Sequence, residues 1–63
     1  MCESNAFFLR NGEEELVMES VDLIVPEDQG RIRLENIFGE EKLITGKLRR
    51  MNLIDHKIFF DQA

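Results

Sequence analysis

Asn11-Gly12 stands between two apolar-rich runs, Ala6–Arg10 and Glu13–Met18. Asn-Gly is the strongest short hairpin signal a sequence carries, because a two-residue type I′ turn needs positive φ at both central positions. It predicts two antiparallel strands at the start of the chain, and the rest repeats the theme. Pro26-Glu27-Asp28-Gln29-Gly30 separates Val21–Val25 from Arg31–Leu34. Proline stops one strand there, and Gly30 permits a left-handed residue before the next. Arg31-Ile32-Arg33-Leu34 alternates cleanly, as a half-buried strand does. His56-Lys57-Ile58-Phe59-Phe60 reads as a short final strand, with Asn52–His56 turning the chain after Lys47–Met51. Asn36–Glu41 has room for a single helical turn closed by Gly39.

Two places break the period of two. Leu16 and Met18 share one parity, whereas Val21, Leu23 and Val25 share the other; Ile44, Gly46 and Leu48 give way to Met51 and Leu53. A strand that changes face needs a bulge or bend, here near Glu19-Ser20 and near Arg49-Arg50. Gly46 inside a strand pattern fits such a bend or a close backbone approach. Glu13–Leu23 has competing helical tendency in its Glu, Leu and Met residues; the hairpin signal and the β-branched Val21, Ile24 and Val25 favour strand. The expected fold is all-β, one domain over residues 1–63: a small, strongly bent antiparallel barrel of five to six strands. Its core is expected to draw on Ala6, Phe8, Leu16, Met18, Val21, Leu23 and Val25 from the first half. Ile32, Leu34, Leu48, Leu53, Ile58 and Phe60 complete it. Phe7 and Leu9 leave the first strand apolar on both faces. One small barrel cannot enclose both, so the surplus implies a partner surface, most simply a second copy.

A chain of 63 residues buries only about 60% of the surface its unfolded form exposes. Domains of this size usually add a disulfide, a metal or a partner subunit. One cysteine makes no intrachain disulfide, and it fits a reducing cytosol better than a secreted scaffold. Residues 1–10 lack the basic start and apolar stretch of a signal peptide, and no apolar run is long enough to span a bilayer. The expected compartment is the cytoplasm. Net charge is −5 but uneven: residues 1–41 hold 3 basic and 11 acidic side chains (−8), residues 42–63 hold 5 and 2 (+3). The overall acidity opposes strong electrostatic binding of nucleic acid.

Catalysis has little to work with. There is one Cys and one His, no Tyr and no Trp, and His56 falls in a turn; the chain does not read as an enzyme. The four glycines are too scattered to cradle a phosphate. Glu13-Glu14-Glu15 is a solvated run, since adjacent strand residues point to opposite faces and three in a row do not converge on one ion. Lys47, Arg49, Arg50 and Lys57 form a basic patch. Small barrels with basic and aromatic surface bind single-stranded nucleic acid through stacking and phosphate contacts. An RNA-binding reading would use these four residues, with Phe59 or Phe7 as the stacking face.

Cys2 is the only cysteine. Its position leaves two readings open: a terminal metal site, or a cysteine without a role. A thiolate binds thiophilic metals, and an α-amine (if Met1 is removed) or a deprotonated amide nitrogen beside it closes a small chelate ring. Two symmetry-related termini would supply two sulfurs and two nitrogens. A square-planar arrangement of these suits Ni(II) or Cu(II), a tetrahedral one Zn(II).

The chain resembles the CooT family of small nickel-binding accessory proteins of carbon monoxide dehydrogenase maturation. The matching features are Met1-Cys2, Asn11-Gly12-Glu13-Glu14-Glu15, Val21-Asp22-Leu23, the run Arg31 to Glu41, and a basic strand ending in Met51-Asn52-Leu53. The resemblance implies a barrel related to SH3-like and Sm-like folds. It implies a homodimer holding one Ni(II) through Cys2 of both subunits, a metallochaperone-like role toward a nickel enzyme or its maturation factors, and no membrane association. Members have also been labelled predicted RNA-binding proteins. No His-rich tail for nickel storage is present, which points to a single stoichiometric site.

Overall fold

Asn11 and Gly12 both take positive φ, 52° and 80°, and Arg10 faces Glu13 across the turn they make. This hairpin opens a barrel in which the computed structural model describes residues 3–62. The strands are β1 Ser4–Arg10, β2 Glu13–Pro26, β3 Arg31–Asn36, β4 Glu41–Asn52 and β5 Lys57–Gln62. A 3₁₀ turn, Asp28–Gly30, links β2 to β3. Neighbours in sequence pair antiparallel, and β1 closes the ring against β5 in parallel. The strand reading of Glu13–Leu23 holds, and both expected bends are present.

Each bend has an identifiable cause. Ser4 faces Val21 and Ala6 faces Met18, so β2 carries an extra residue at Glu19-Ser20. Ser20 absorbs it with φ 56°, and the Asn5 side-chain oxygen accepts its backbone N–H at 3.1 Å. On β4 the register shifts between Leu48 and Arg50, leaving Arg49 as the bulged residue. Gly46 marks the close approach: a Cβ there would collide with the Asp61 carbonyl. The Asn36–Glu41 segment forms a turn rather than a turn of helix. Asn36, only 5% exposed, accepts the N–H groups of Phe38 and Glu40 on its side-chain oxygen, each at 3.0 Å. That side chain thus supplies the acceptor that a helical carbonyl would have supplied.

The core consists of Ala6, Phe8, Val21, Ile32, Leu34, Ile44, Ile58 and Phe60, with Val17, Met18 and Ile24 packed against it. Phe60 and Leu34 are fully buried, each stabilising the fold by about 1.5–3 kcal/mol. Four expected core residues lie outside. Leu16 faces Phe7 because a second irregularity, between Ala6 and Phe7, turns it to the outer face. Leu23 faces Glu35 because the register shifts between Val21 and Leu23, which hands the inward position to Ile24. Leu48 shares a face with Phe60, but β3 leaves β4 at Thr45, so the opposing layer does not cover it. Leu53 falls in the β4–β5 turn and is exposed. Val25 is half-buried beside Arg33.

Candidate metal centre and its surroundings

Cys2, the sequence's candidate metal ligand, lies outside the described residues. The chain next to it is well anchored. Asn5 donates its backbone N–H to the His56 carbonyl at 2.9 Å while its side chain holds Ser20. One residue therefore ties the start of β1 to the bend of β2 and to the turn before β5. Asn5 carried no motif that would have marked it; its role comes from the two segments it joins, 15 and 51 positions away. Among the described residues, no three His, Cys, Asp or Glu side chains gather as a metal site. His56 is exposed in its turn, with φ 57°.

The acidic run divides as expected for a solvated strand. Glu15 pairs with Arg10 at 2.7 Å and Glu14 with Lys57 at 3.4 Å. The four basic residues lie on β4 and at the start of β5, and most of their charge is engaged. Arg49 reaches both Asp61 carboxylate oxygens, at 3.1 and 3.3 Å. Lys57 holds Glu14 and sits 5.5 Å from the Phe7 ring centroid. Arg50 lies over Phe59 at 4.6 Å, and Lys47 faces Asp61 across the β4–β5 ladder. Phe59 is not an open stacking face. It is 2% exposed, stacked on Phe7 with centroids 5.7 Å apart and covered by Arg50. Phe7 is half-buried by the same contact, so the outer apolar surface of β1 is partly covered within the chain. The larger exposed apolar side chains lie elsewhere: Leu48, Met51, Leu53 and Ile54 on β4 and its turn, Ile37-Phe38 at the β3–β4 turn, and Leu16, Leu23 and Leu43 on β2 and β4. Among the described residues no helix is long and apolar enough to cross a membrane.

Five strands closed into a ring around a single small core define a small all-β barrel domain, with its distinctive polar and aromatic contacts on the outer wall. The family model for the CO dehydrogenase accessory protein CooT matches residues 1–61, and the chain belongs to that family. The crystal structure of a candidate CooT from Carboxydothermus hydrogenoformans superposes with a TM-score of 0.91 at 42% identity, covering 98% of each chain. An uncharacterized protein of Methanocaldococcus jannaschii is 36% identical over 61 residues, 97% of this chain and 98% of that one. The family is that of an accessory protein to CO dehydrogenase, which fits an accessory role for this chain.

Proposed function

We propose that this protein is a nickel-binding accessory factor that works as a homodimer, holding one Ni(II) between the Cys2 residues of its two subunits and supporting nickel insertion into carbon monoxide dehydrogenase. The observation that carries this reading is the match to the CooT family over residues 1–61, a span that includes the only cysteine in the sequence. The donor chemistry fits the cargo. Thiolate sulfur with amine or amide nitrogen is a strong-field, partly soft set of the kind Ni(II) accepts. One chain offers a single thiolate, and a two-fold axis doubles it.

One feature of the barrel supports the dimer and a second supports the terminal ligand. Leu48, Met51, Leu53 and Ile54 leave about half or more of their surface exposed, and contiguous exposed apolar surface marks association sites. Asn5, three residues after Cys2, is clamped to both the β2 bend and the β4–β5 turn. That clamp limits the backbone freedom lost when a terminal ligand is captured. The lone cysteine suits a reducing cytoplasm, where a thiolate ligand persists.

The test is a Ni(II) titration of the purified protein. Sulfur-to-nickel charge-transfer absorption should rise linearly and stop at one metal per two chains, with light scattering giving a dimer mass. Equal binding by Cys2→Ser would overturn the assignment of the ligand, and saturation at one metal per chain would overturn the shared site.

A further inference from the structure

The ring of strands has an open seam. Over Glu13–Met18, β2 pairs only with β1, and over Glu41–Thr45, β4 pairs only with β3. These two strand edges face each other across a groove of about 350 Å³. Phe8, Leu16, Leu43 and Ile44 contribute to its wall; Leu16 and Leu43 are about half exposed, and Phe38, three-quarters exposed, stands over the adjoining hollow. A hydrogen bond spans the seam: the Lys42 ammonium donates to the Val17 carbonyl at 3.1 Å. The rim is acidic. Glu15, Glu19, Glu40 and Glu41 border the two hollows beside Lys42, with Glu15 paired to Arg10 at 2.7 Å and Glu41 to Arg33 at 3.6 Å.

We propose that this seam is a docking site for an extended basic segment of a partner protein, one that carries an apolar side chain between lysines or arginines. An exposed strand edge is a template for strand addition. The apolar wall gives the intervening side chain a place to bury, and the four carboxylates outnumber Lys42 together with Arg10 and Arg33, which pair with Glu15 and Glu41, and so select a cationic partner over an anionic one. Strand addition at this seam needs no metal.

The probe is a fluorescein-labelled hexapeptide, Lys-Val-Lys-Leu-Lys-Val, followed by anisotropy and by amide chemical-shift mapping of the ¹⁵N-labelled full chain. Binding should displace the amides of residues 15–17 and 42–45. It should weaken at least tenfold in Leu16→Lys and in Leu43→Lys, both at exposed positions where the fold tolerates the change. An equally charged Lys-Gly repeat should bind at least tenfold more weakly, and Cys2→Ser should bind as the wild type does. Equal binding of the two peptides, shifts outside the seam, or unchanged affinity in both lysine variants would overturn the proposal. So would concentration-dependent self-association mapping to the same amides, which would make a second copy the occupant. Loss of nickel binding in Cys2→Ser with peptide binding intact separates the two sites.

Discussion

The Arg50 guanidinium lies 4.6 Å from the centroid of the Phe59 ring and roofs a side chain on the outside of the barrel that is nonetheless 2% exposed. Phe7 stacks on the other part of that ring across the parallel β1–β5 pair. The cluster locks the closing pair of strands from outside, as the core does from inside. It also removes the aromatic face that a nucleic-acid reading of this surface needs.

Arg50→Ala should therefore cost about 0.5–1 kcal/mol, the range for a cation–π contact at an accessible site. Phe59→Ala should cost about 3–5 kcal/mol, as large-to-small changes at packed aromatic positions do. Urea denaturation midpoints of the two variants check both figures. A null effect for Phe59→Ala would mean that the outer cluster does not stabilise ring closure.

Gly46→Ala should destabilise by about 1–3 kcal/mol, the cost of forcing extra atoms into a packed site. The added methyl group meets the Asp61 carbonyl, a backbone atom of β5 that has no rotamer to yield. Thermal unfolding followed by circular dichroism gives the comparison. Gly12→Ala serves as the contrast: a methyl group there would have no neighbour within 4 Å, and only the positive φ of 80° penalises it.

Asn36→Ala should cost about 1–3 kcal/mol by leaving the Phe38 and Glu40 N–H groups without their acceptor. Because Asn36 is itself buried, a second effect is expected. Hydrogen exchange at Phe38 and Glu40 should accelerate far more than at core amides such as Leu34, the signature of a locally opened turn.

Glu35 and Glu41 face each other across β3 and β4. A hydrogen bond to Glu41 raises the Glu35 pKa above its ordinary 4.5, aided by desolvation and by the charges of Glu41 and Asp22, with Arg33 opposing. A carboxyl whose folded pKa is raised binds more protons in the folded state than in the unfolded one. Its stabilising contribution is thus present at low pH and is lost as pH rises from 4.5 through the folded value. Glu35→Gln should remove this dependence, making the variant more stable than wild type at about pH 7 and narrowing the difference near pH ~4. Chemical denaturation at the two pH values reads it, and a wild-type advantage at neutral pH would refute the pairing.

The turns were legible because each is decided by the φ preferences of one or two residues. Asn11-Gly12 reverses the chain with both residues at positive φ, Gly30 follows Pro26 as a left-handed residue, and the bends at Ser20 and Arg49 fall where the alternation breaks. The family, too, was legible from the order of short segments along the chain, since the CooT family match runs over residues 1–61. The candidate ligand Cys2 was legible as chemistry, and its neighbour Asn5 was not, because nothing local marks a side chain that joins Ser20 to the segment whose His56 carbonyl its own backbone holds.

By itself, then, the sequence determined a run of five to six strands, the turns between them, and one cysteine near its start. Tertiary structure decided which face each apolar residue took. One irregularity opposite Phe7 turned Leu16 outward, another beside Asp22 exchanged Leu23 for Ile24 in the interior, and the early departure of β3 left Leu48 uncovered. The same alternation that sent Phe59 outward says nothing of Phe7, 52 positions earlier, which arrives beside it only when β1 and β5 close the ring. Periodicity reports the direction in which a side chain points. Burial depends on what comes to meet it, and that is settled by pairings between distant parts of the chain.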